Sequence, residues 1–214
     1  MKKKAIIFDL DGTLWEVIDV TYNSANKIAR KYNLNEVTKE VICDTFGLNR
    51  LDCGKGYFPT LDDDVVIELM DEIAQIKNRI LNEQGGNLYP NLKETLKELN
   101  KNYRLFIVSN TAEDEYIEAF FNTDNLKNLF EDYIAASKLG IIKGEAIKKI
   151  IKDNNIESAV YVGDTKKDSE ASVYADIPFI YAKYGFGDIE SENYIEKFED
   201  LPIIIKNIFE GSND

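Results

Sequence analysis

The segment from Ala5 to Trp15 constrains the fold of this chain more than any other. Its four apolar residues, Ala5 to Phe8, run directly into Asp9 and Asp11, which are followed by a glycine and a threonine. A continuous apolar run of this kind is typical of a strand buried on both faces, as in parallel sheets. Side chains two apart on a strand point the same way, so both carboxylates can face one site at its carboxyl end. We expect a cation beside two acids held so close together.

Strands and helices alternate in the second part of the chain. Apolar runs predict four further strands, at Arg104–Val108, Tyr133–Ala136, Ala159–Val162 and Pro178–Tyr181. Apolar residues at helical spacing predict helices between these strands and a closing helix over Pro202–Phe209. This alternation implies right-handed crossovers and helices on both faces of the sheet. The predicted fold class is therefore α/β, a Rossmann-like three-layer core with a mostly parallel sheet.

Between the first and second strands the pattern is helical instead. Apolar residues recur at helical spacing from Ile18 to Ile42, and again in a stripe from Val66 to Ile80 that we expect to pack in a core. Phe46 to Thr60 contains three glycines and a proline, which predict an irregular segment. We therefore expect an inserted α-helical domain over residues 16–88, and a core formed by residues 1–15 and 89–214.

The charge of the chain limits its partners. The 214 residues carry a formal net charge of −13, whereas nucleic-acid binding depends on lysine and arginine neutralising phosphates. The same excess of acid disfavours an anionic membrane surface. We therefore expect neither nucleic acid nor a membrane as a partner, and a monomer or weak homodimer. A small anionic substrate stays possible, because a bound metal and a few cationic side chains determine the electrostatic potential at a binding site.

The sequence contains no histidine. This excludes Ser-His-Asp and Cys-His catalysis and histidine-ligated zinc. Cys43 and Cys53 are too few for a disulfide framework, so we expect free thiols and a cytoplasmic protein. The opening lysines and apolar residues are similar to the start of a signal peptide, but Asp9 and Asp11 interrupt the run, so we expect none. No stretch approaches the length of a transmembrane helix.

Polar residues follow several of the predicted strands where each strand ends. They are Asp9, Asp11 and Thr13 after the first strand, Ser109 and Asn110 after the second, and Asp164 and Asp168 after the fourth. Lys143 stands where a helix begins, before the fourth strand. The carboxyl ends of parallel strands share one edge of a sheet, so these residues are expected to meet. A carboxylate nucleophile, a second carboxyl for proton transfer and Mg²⁺ together supply what phosphoryl transfer needs.

These ordered segments resemble the haloacid dehalogenase superfamily, most of whose members are Mg²⁺-dependent phosphatases. The resemblance covers nearly the whole chain and is to the phosphatase type, similar to phosphoglycolate phosphatases. It implies hydrolysis of a small phosphorylated metabolite through an aspartyl-phosphate intermediate. By the resemblance Asp9 is the nucleophile and Asp11 the general acid and base. Ser109 and the Asn110 backbone hold the phosphoryl oxygens, and Lys143 offsets the charge of nucleophile and phosphate.

The resemblance also implies a metal site and a mobile cap. Mg²⁺ is bound by the Asp9 carboxylate, the Asp11 backbone carbonyl and Asp164, while Asp168 supports the metal's waters and Lys143. The inserted helices correspond to the cap that closes over the substrate in this superfamily. The candidate substrate-binding residues are Thr13, Asn110, Arg50 and Lys55.

Two features of the sequence bear on the interpretation within the superfamily. True dehalogenases and phosphonatase-like members lack the second aspartate, so the presence of Asp11 disfavours both reactions. Lys143 is followed by Gly144 rather than the common proline, which leaves Lys138 as a rival for the lysine role.

Three other functions fit parts of the pattern. A sugar phosphomutase of the same superfamily uses both aspartates and a cap, and differs in returning an isomeric phosphate. A signalling receiver domain also combines acids, Mg²⁺, a hydroxyl residue and a lysine. Its accepting aspartate, however, ends the third strand, where this chain has Ala135, Ala136 and Ser137. A non-catalytic phospho-ligand-binding protein would bind the ligand without releasing phosphate.

Overall fold

A computed structural model describes residues 2–211 as a parallel sheet between two layers of helices, with a separate helical block. The strands of the sheet are β1 (Lys4–Phe8), β4 (Arg104–Ser109), β5 (Asp132–Ala135), β6 (Ser158–Gly163), β7 (Phe179–Ala182) and β8 (Tyr194–Ile195). Their order in the sheet is β5-β4-β1-β6-β7-β8, and every neighbouring pair is parallel. The predicted α/β fold class is confirmed, and its five predicted strands all form.

Helices cover both faces of the sheet. The helices of this core are α5 (Leu92–Leu99), α6 (Asp114–Thr123), α7 (Lys143–Asp153), α8 (Lys166–Ala175) and α9 (Leu201–Gly211). Ile6 and Phe8 of β1 pack with residues of α5, α6 and α9, whereas Ala5 and Ile7 pack with α7 and α8. Alternate residues of one strand thus enter opposite layers, which is why β1 is apolar at every position.

The helical block lies between β1 and β4 in the chain. It consists of α1 (Ile18–Lys31), α2 (Lys39–Thr45), α3 (Arg50–Tyr57) and α4 (Asp63–Gln84). These helices share a buried apolar cluster of their own, which includes Ile28, Ile42 and Ile73. The long helical pattern from Ile18 to Ile42 is divided, because Asn33 adopts a left-handed conformation with φ of 54° between α1 and α2.

The prediction that Phe46 to Thr60 is irregular was wrong over α3. The Asn49 side chain accepts a hydrogen bond of 3.0 Å from the Asp52 backbone N–H and caps the start of this helix. Gly54 is a contact point rather than a turn, since a Cβ there would lie 2.4 Å from Cγ1 of Val66. The glycines of this segment let α3 pack closely on its neighbours.

A short antiparallel ribbon joins the block to the core. Its strands are β2 (Trp15–Glu16) and β3 (Asn87–Leu88), with Trp15 opposite Leu88 and Glu16 opposite Asn87. Neither this ribbon nor the edge strand β8 is predicted from the sequence, because two-residue strands leave no periodic pattern. Among the described residues, no helix combines the length and apolar character that crossing a membrane requires.

Candidate active site

The carboxyl edge of the sheet brings the polar strand ends together. Asp9 follows β1 directly, Ser109 is the last residue of β4, and Asp164 follows β6. Because β1 pairs with both β4 and β6, these three residues stand on adjacent strands. All three side chains are buried. The topology therefore places three buried polar groups in one small region.

Lys143, the first residue of α7, inserts its ammonium among the acids. Its Nζ lies 2.8 Å from Oδ1 of Asp9 and 2.6 Å from Oδ1 of Asp168, and the lysine is only 5% exposed. Gly144 lets α7 pack closely on α8, since a Cβ there would lie 2.6 Å from the ring of Tyr174. Lys138, the rival candidate, is exposed and pairs with Asp114 instead.

Asp168 is held by a capping arrangement at the start of α8. Its Oδ2 accepts hydrogen bonds from the backbone N–H and the hydroxyl of Thr165, at 3.0 and 2.5 Å. Its Oδ1 accepts from Lys143 and, at 3.3 Å, from the Tyr161 hydroxyl. With both oxygens engaged by protein donors, Asp168 is set to orient Lys143.

Asp164 is fixed by contacts from two loops. Its Oδ2 accepts a hydrogen bond of 2.7 Å from the Phe186 backbone N–H, and its Oδ1 accepts one of 3.3 Å from the Thr13 hydroxyl. Gly12 has φ of +80°, and a Cβ there would lie 2.1 Å from Oδ2 of Asp164. Only glycine permits this approach of the backbone to the carboxylate.

The acids form a site suited to a cation. Oxygen atoms of Asp9, Asp164 and Asp168 lie within 4.8 Å of one another, and all three residues are buried. Burial raises the pKa of Asp9 to about 7, although the Lys143 charge lowers it. Burial, and then the charges of Asp168 and Asp9, raise the pKa of Asp164 well above its usual value. Clustered carboxylate oxygens are the ligands that Mg²⁺ prefers, so this set fits that ion.

Asp11 faces a different set of partners. The Tyr116 hydroxyl of α6 donates a hydrogen bond to Oδ1 of Asp11, and the Lys77 ammonium of α4 lies 4.3 Å from the centre of the Tyr116 ring. Burial raises the pKa of Asp11, while the Lys77 charge lowers it. Sequence reasoning missed both partners. Lys77 carried a signal, because it lies four residues after Ile73 on the apolar face of α4.

A cavity of about 180 Å³ lies between these residues and the helical block. From the core it is lined by the site residues Asp9, Asp11, Ser109, Asn110 and Lys143. From the block it is lined mainly by α3, α4 and the loop that precedes α3. The Asn110 amide donates a hydrogen bond of 3.0 Å to the Gly47 carbonyl of that loop. The loop therefore connects the block directly to the strand-end residues.

The two cationic residues predicted in the block are placed differently. Arg50 lines the cavity, where it pairs with Asp71 and lies 3.8 Å from Glu113. Lys55 is outside the cavity lining, and its ammonium contacts Asp63 at 2.6 Å and the Leu61 carbonyl at 2.7 Å. The structure thus places Arg50, and not Lys55, in the cavity lining.

Comparison with known proteins identifies the family. The family model described as haloacid dehalogenase-like hydrolase matches residues 6–182, which is most of the chain. The chain belongs to the haloacid dehalogenase-like hydrolases. This membership confirms the predicted superfamily and the prediction that the chain is an enzyme.

Two kinds of curated haloacid dehalogenase-like relatives are similar over most of their length. Phosphoglycolate phosphatase of Haemophilus influenzae is 28% identical over 201 residues, which cover 86% of this chain and 87% of the relative. Pyrophosphatase PpaX of Bacillus thuringiensis is 26% identical over 173 residues, which cover 78% of this chain and 77% of the relative.

Solved haloacid dehalogenase-like structures share the fold. A predicted phosphoglycolate phosphatase from Haemophilus somnus superposes with a TM-score of 0.84 at 20% identity, over 96% of this chain and 99% of that one. The family protein SP0104 from Streptococcus pneumoniae has a TM-score of 0.83 at 19% identity, over 94% and 97% of the two chains. These matches extend across the helical block as well as the sheet.

Proposed function

We propose that this chain is a Mg²⁺-dependent phosphatase that hydrolyses a small phosphorylated metabolite through a phosphorylated Asp9. The buried contact of Asp9 with Lys143, in the wall of the cavity, is the observation that carries the proposal. An ammonium at 2.8 Å favours the ionised, nucleophilic form of the carboxylate. The names of the curated relatives, phosphoglycolate phosphatase and pyrophosphatase, support the same reaction type.

The proposed reaction divides the work between two aspartates. An oxygen of Asp9 bonds to phosphorus while the bond from phosphorus to the leaving oxygen breaks, and Asp11 gives its proton to that oxygen. The Asp11 carboxylate then takes a proton from the water that attacks phosphorus, and the Asp9–phosphate bond breaks to release inorganic phosphate. Tyr116 donates to Oδ1 of Asp11, which leaves Oδ2 to carry the proton. Burial raises the pKa of Asp11, which favours its acid form before the first step.

The residues that receive the phosphoryl group come from β4 and α7. Ser109 lines the cavity, and its oxygen accepts a hydrogen bond of 3.3 Å from the Thr111 backbone N–H. Its hydroxyl proton is thereby available to a phosphoryl oxygen, together with the Asn110 backbone. Lys143 offsets the combined charge of Asp9 and the phosphoryl group.

Asp9, Asp164 and the Asp11 carbonyl would hold the Mg²⁺ ion, and Thr13 would keep Asp164 in place. When bound, the ion neutralises charge on the phosphoryl oxygens and orients them. Asp168 would act on this site through Lys143, whose ammonium lies 2.6 Å from its Oδ1.

We further propose that residues 16–88 act as the cap of the core formed by 1–15 and 89–214. The block supplies one side of the cavity, and its loop touches the core through Gly47 and through Phe46, whose ring lies 4.4 Å from that of Phe186. Closure at these contacts would exclude water from the phosphorylated Asp9. A cytoplasmic location fits the two free cysteines, Cys43 and Cys53.

The decisive test is Asp9→Asn assayed against a panel of phosphorylated metabolites, with and without Mg²⁺. Wild type should release inorganic phosphate in the presence of Mg²⁺, and Asp9→Asn should release almost none. Asp176→Asn is the control, since it removes one exposed charge at a left-handed position that asparagine also tolerates. Activity of Asp9→Asn near wild type would overturn the proposal. An isomeric phosphate as the product would instead indicate a mutase.

A further inference from the structure

The helical block contributes two cationic side chains to the cavity, Arg50 of α3 and Lys77 of α4. Arg50 is largely neutralised, because its guanidinium pairs with Asp71, approaches Glu113 and donates to the Met70 carbonyl at 3.2 Å. The Arg50 Nε is a buried donor that has no acceptor among residues 2–211. Arg50 can therefore offer a hydrogen bond, but little net charge.

Lys77 differs from Arg50 in having no counter-ion in direct contact among residues 2–211, although its charge lowers the pKa of Asp11. Within residues 2–211 no carboxylate lies within 4 Å of its ammonium, which instead lies over the ring of Tyr116. A face-on aromatic ring favours a cation but does not neutralise it. The half-buried Lys77 thus brings to the cavity wall a positive charge that no carboxylate of residues 2–211 contacts.

The surroundings of Lys77 make that charge costly unless something balances it. Met70, Ile73 and Ala74 of the same helix line the cavity beside it, and none of them can accept a hydrogen bond well from an ammonium through its side chain. Withdrawing a charged group from water without a partner is unfavourable. An anionic group in the cavity would supply the missing partner.

The position of Lys77 also limits how far such an anion can be from the reacting phosphate. Tyr116 alone spans the distance, since its ring lies under the Lys77 ammonium and its hydroxyl reaches Asp11. A substrate that reaches both Asp11 and Lys77 therefore carries its second charge only a few bonds from the transferred phosphorus.

We infer that Lys77 is a specificity residue that binds a second anionic group of the substrate, either a carboxylate or another phosphate. This inference rests on the proposed phosphatase function and narrows its substrate class to short dianionic or polyanionic phosphates. Arg50 Nε is a further donor in the same cavity.

The test compares three phosphate compounds that differ in the second group. They are 2-phosphoglycolate with a carboxylate, inorganic pyrophosphate with a second phosphate, and 2-hydroxyethyl phosphate with a neutral hydroxyl. Phosphate release is measured for wild type, Lys77→Met, Lys77→Arg and Lys27→Met. Lys27→Met is the matched control, because it removes the same charge from an exposed position of α1.

We expect wild type to prefer at least one anionic compound over 2-hydroxyethyl phosphate in kcat/KM. Lys77→Met should lower kcat/KM for that compound about 10- to 100-fold, the usual worth of a charged hydrogen bond, mainly through KM. Because the Lys77 charge also acts on Asp11, the readout is a ratio: kcat/KM for 2-hydroxyethyl phosphate should fall at least about fivefold less than kcat/KM for the anionic compound. Lys77→Arg should restore much of the preference, and Lys27→Met should keep it. Which anionic compound is affected distinguishes a carboxylate from a phosphate.

Two results would overturn the inference while leaving the phosphatase proposal intact. One is wild-type phosphate release from all three compounds with no preference for an anionic group. The other is a Lys77→Met variant that loses activity equally on all three, which would assign Lys77 a structural role. No Asp9-dependent phosphate release from any panel compound would instead refute the phosphatase proposal itself.

Discussion

Replacing Lys143 with methionine removes the only cation in contact with the Asp9 and Asp168 carboxylates within residues 2–211. The ammonium lies 2.8 and 2.6 Å from their oxygens, and all three side chains are at most 8% exposed. At such separations, an effective dielectric near 20 gives an attraction of about 6 kcal/mol for each pair before desolvation is subtracted. Methionine keeps most of the volume, so the change is chiefly one of charge.

The expected loss is about 3–5 kcal/mol in the free energy of unfolding, as is usual when one partner of a buried pair is removed. Natural domains have only about 5–15 kcal/mol in total, so the effect is large. Urea unfolding near neutral pH, without added metal, measures it. Lys138→Met is the control, because Lys138 is an exposed lysine paired with Asp114, and its midpoint should stay near wild type. A loss below about 1 kcal/mol in Lys143→Met would refute this reasoning.

A second substitution tests the cause of that loss. Asp168→Asn should destabilise wild type, because it removes a partner of Lys143. In the Lys143→Met background the same change should stabilise, because it removes one of two uncompensated carboxylates. Destabilisation in both backgrounds would show that charge compensation is not the reason. Turnover of Lys143→Met should fall about 10²- to 10³-fold, the usual effect of losing one charge-stabilising donor.

Three further predictions concern the metal site. Chelation should abolish phosphate release and Mg²⁺ should restore it; activity that persists in excess chelator would contradict a metal requirement. Gly12→Ala should lower activity more than about tenfold, because the new Cβ would lie 2.1 Å from Oδ2 of Asp164. Gly140→Ala is the control: its Cβ would meet nothing within 4 Å, so it should keep activity and lose only about 1 kcal/mol of stability. Equal activities of the two variants would refute the steric argument. Burial raises the pKa of Asp9 from 3.8 to about 7, so the folded metal-free protein binds this proton more tightly than the unfolded chain does. Its free energy of unfolding should therefore fall as the pH rises from about 4 to about 7. The urea midpoint should depend less steeply on pH in Asp9→Asn than in wild type. An identical pH dependence in the two proteins would contradict the assignment of this effect to Asp9.

Much of the fold could be predicted because the buried core strands consist almost entirely of apolar residues. Strands such as β1 and β6 are covered on both faces, so nearly every residue is apolar and the run stands out. Since parallel strands end at a common edge, the polar residues after them could be expected to converge. Asp9, Ser109 and Asp164 do lie at that edge.

The helical block was harder to predict because its contacts are not periodic. Gly54 in α3 is a residue type typical of turns, yet here it allows close packing against Val66. No local sequence pattern indicates this contact. Lys77 and Tyr116 come from different helices, and their contact depends on how α4 packs on α6. A residue pair of this kind becomes visible only when the tertiary arrangement is known.

The ribbon of β2 and β3 makes the helical block an insertion that evolution can exchange independently of the sheet. Because Trp15 pairs with Leu88 and Glu16 with Asn87, the block leaves and re-enters the core at hydrogen-bonded neighbours. Because its two ends are paired, the whole insertion connects to the core as a tight hairpin would. The entropy of closing a loop depends only weakly on its length, so a long insertion costs little more than a short one. Exchange of this block for another would leave the strand register untouched. The polar residues at the sheet edge and the helical block that lines the other side of the cavity are thus encoded by separable parts of the chain.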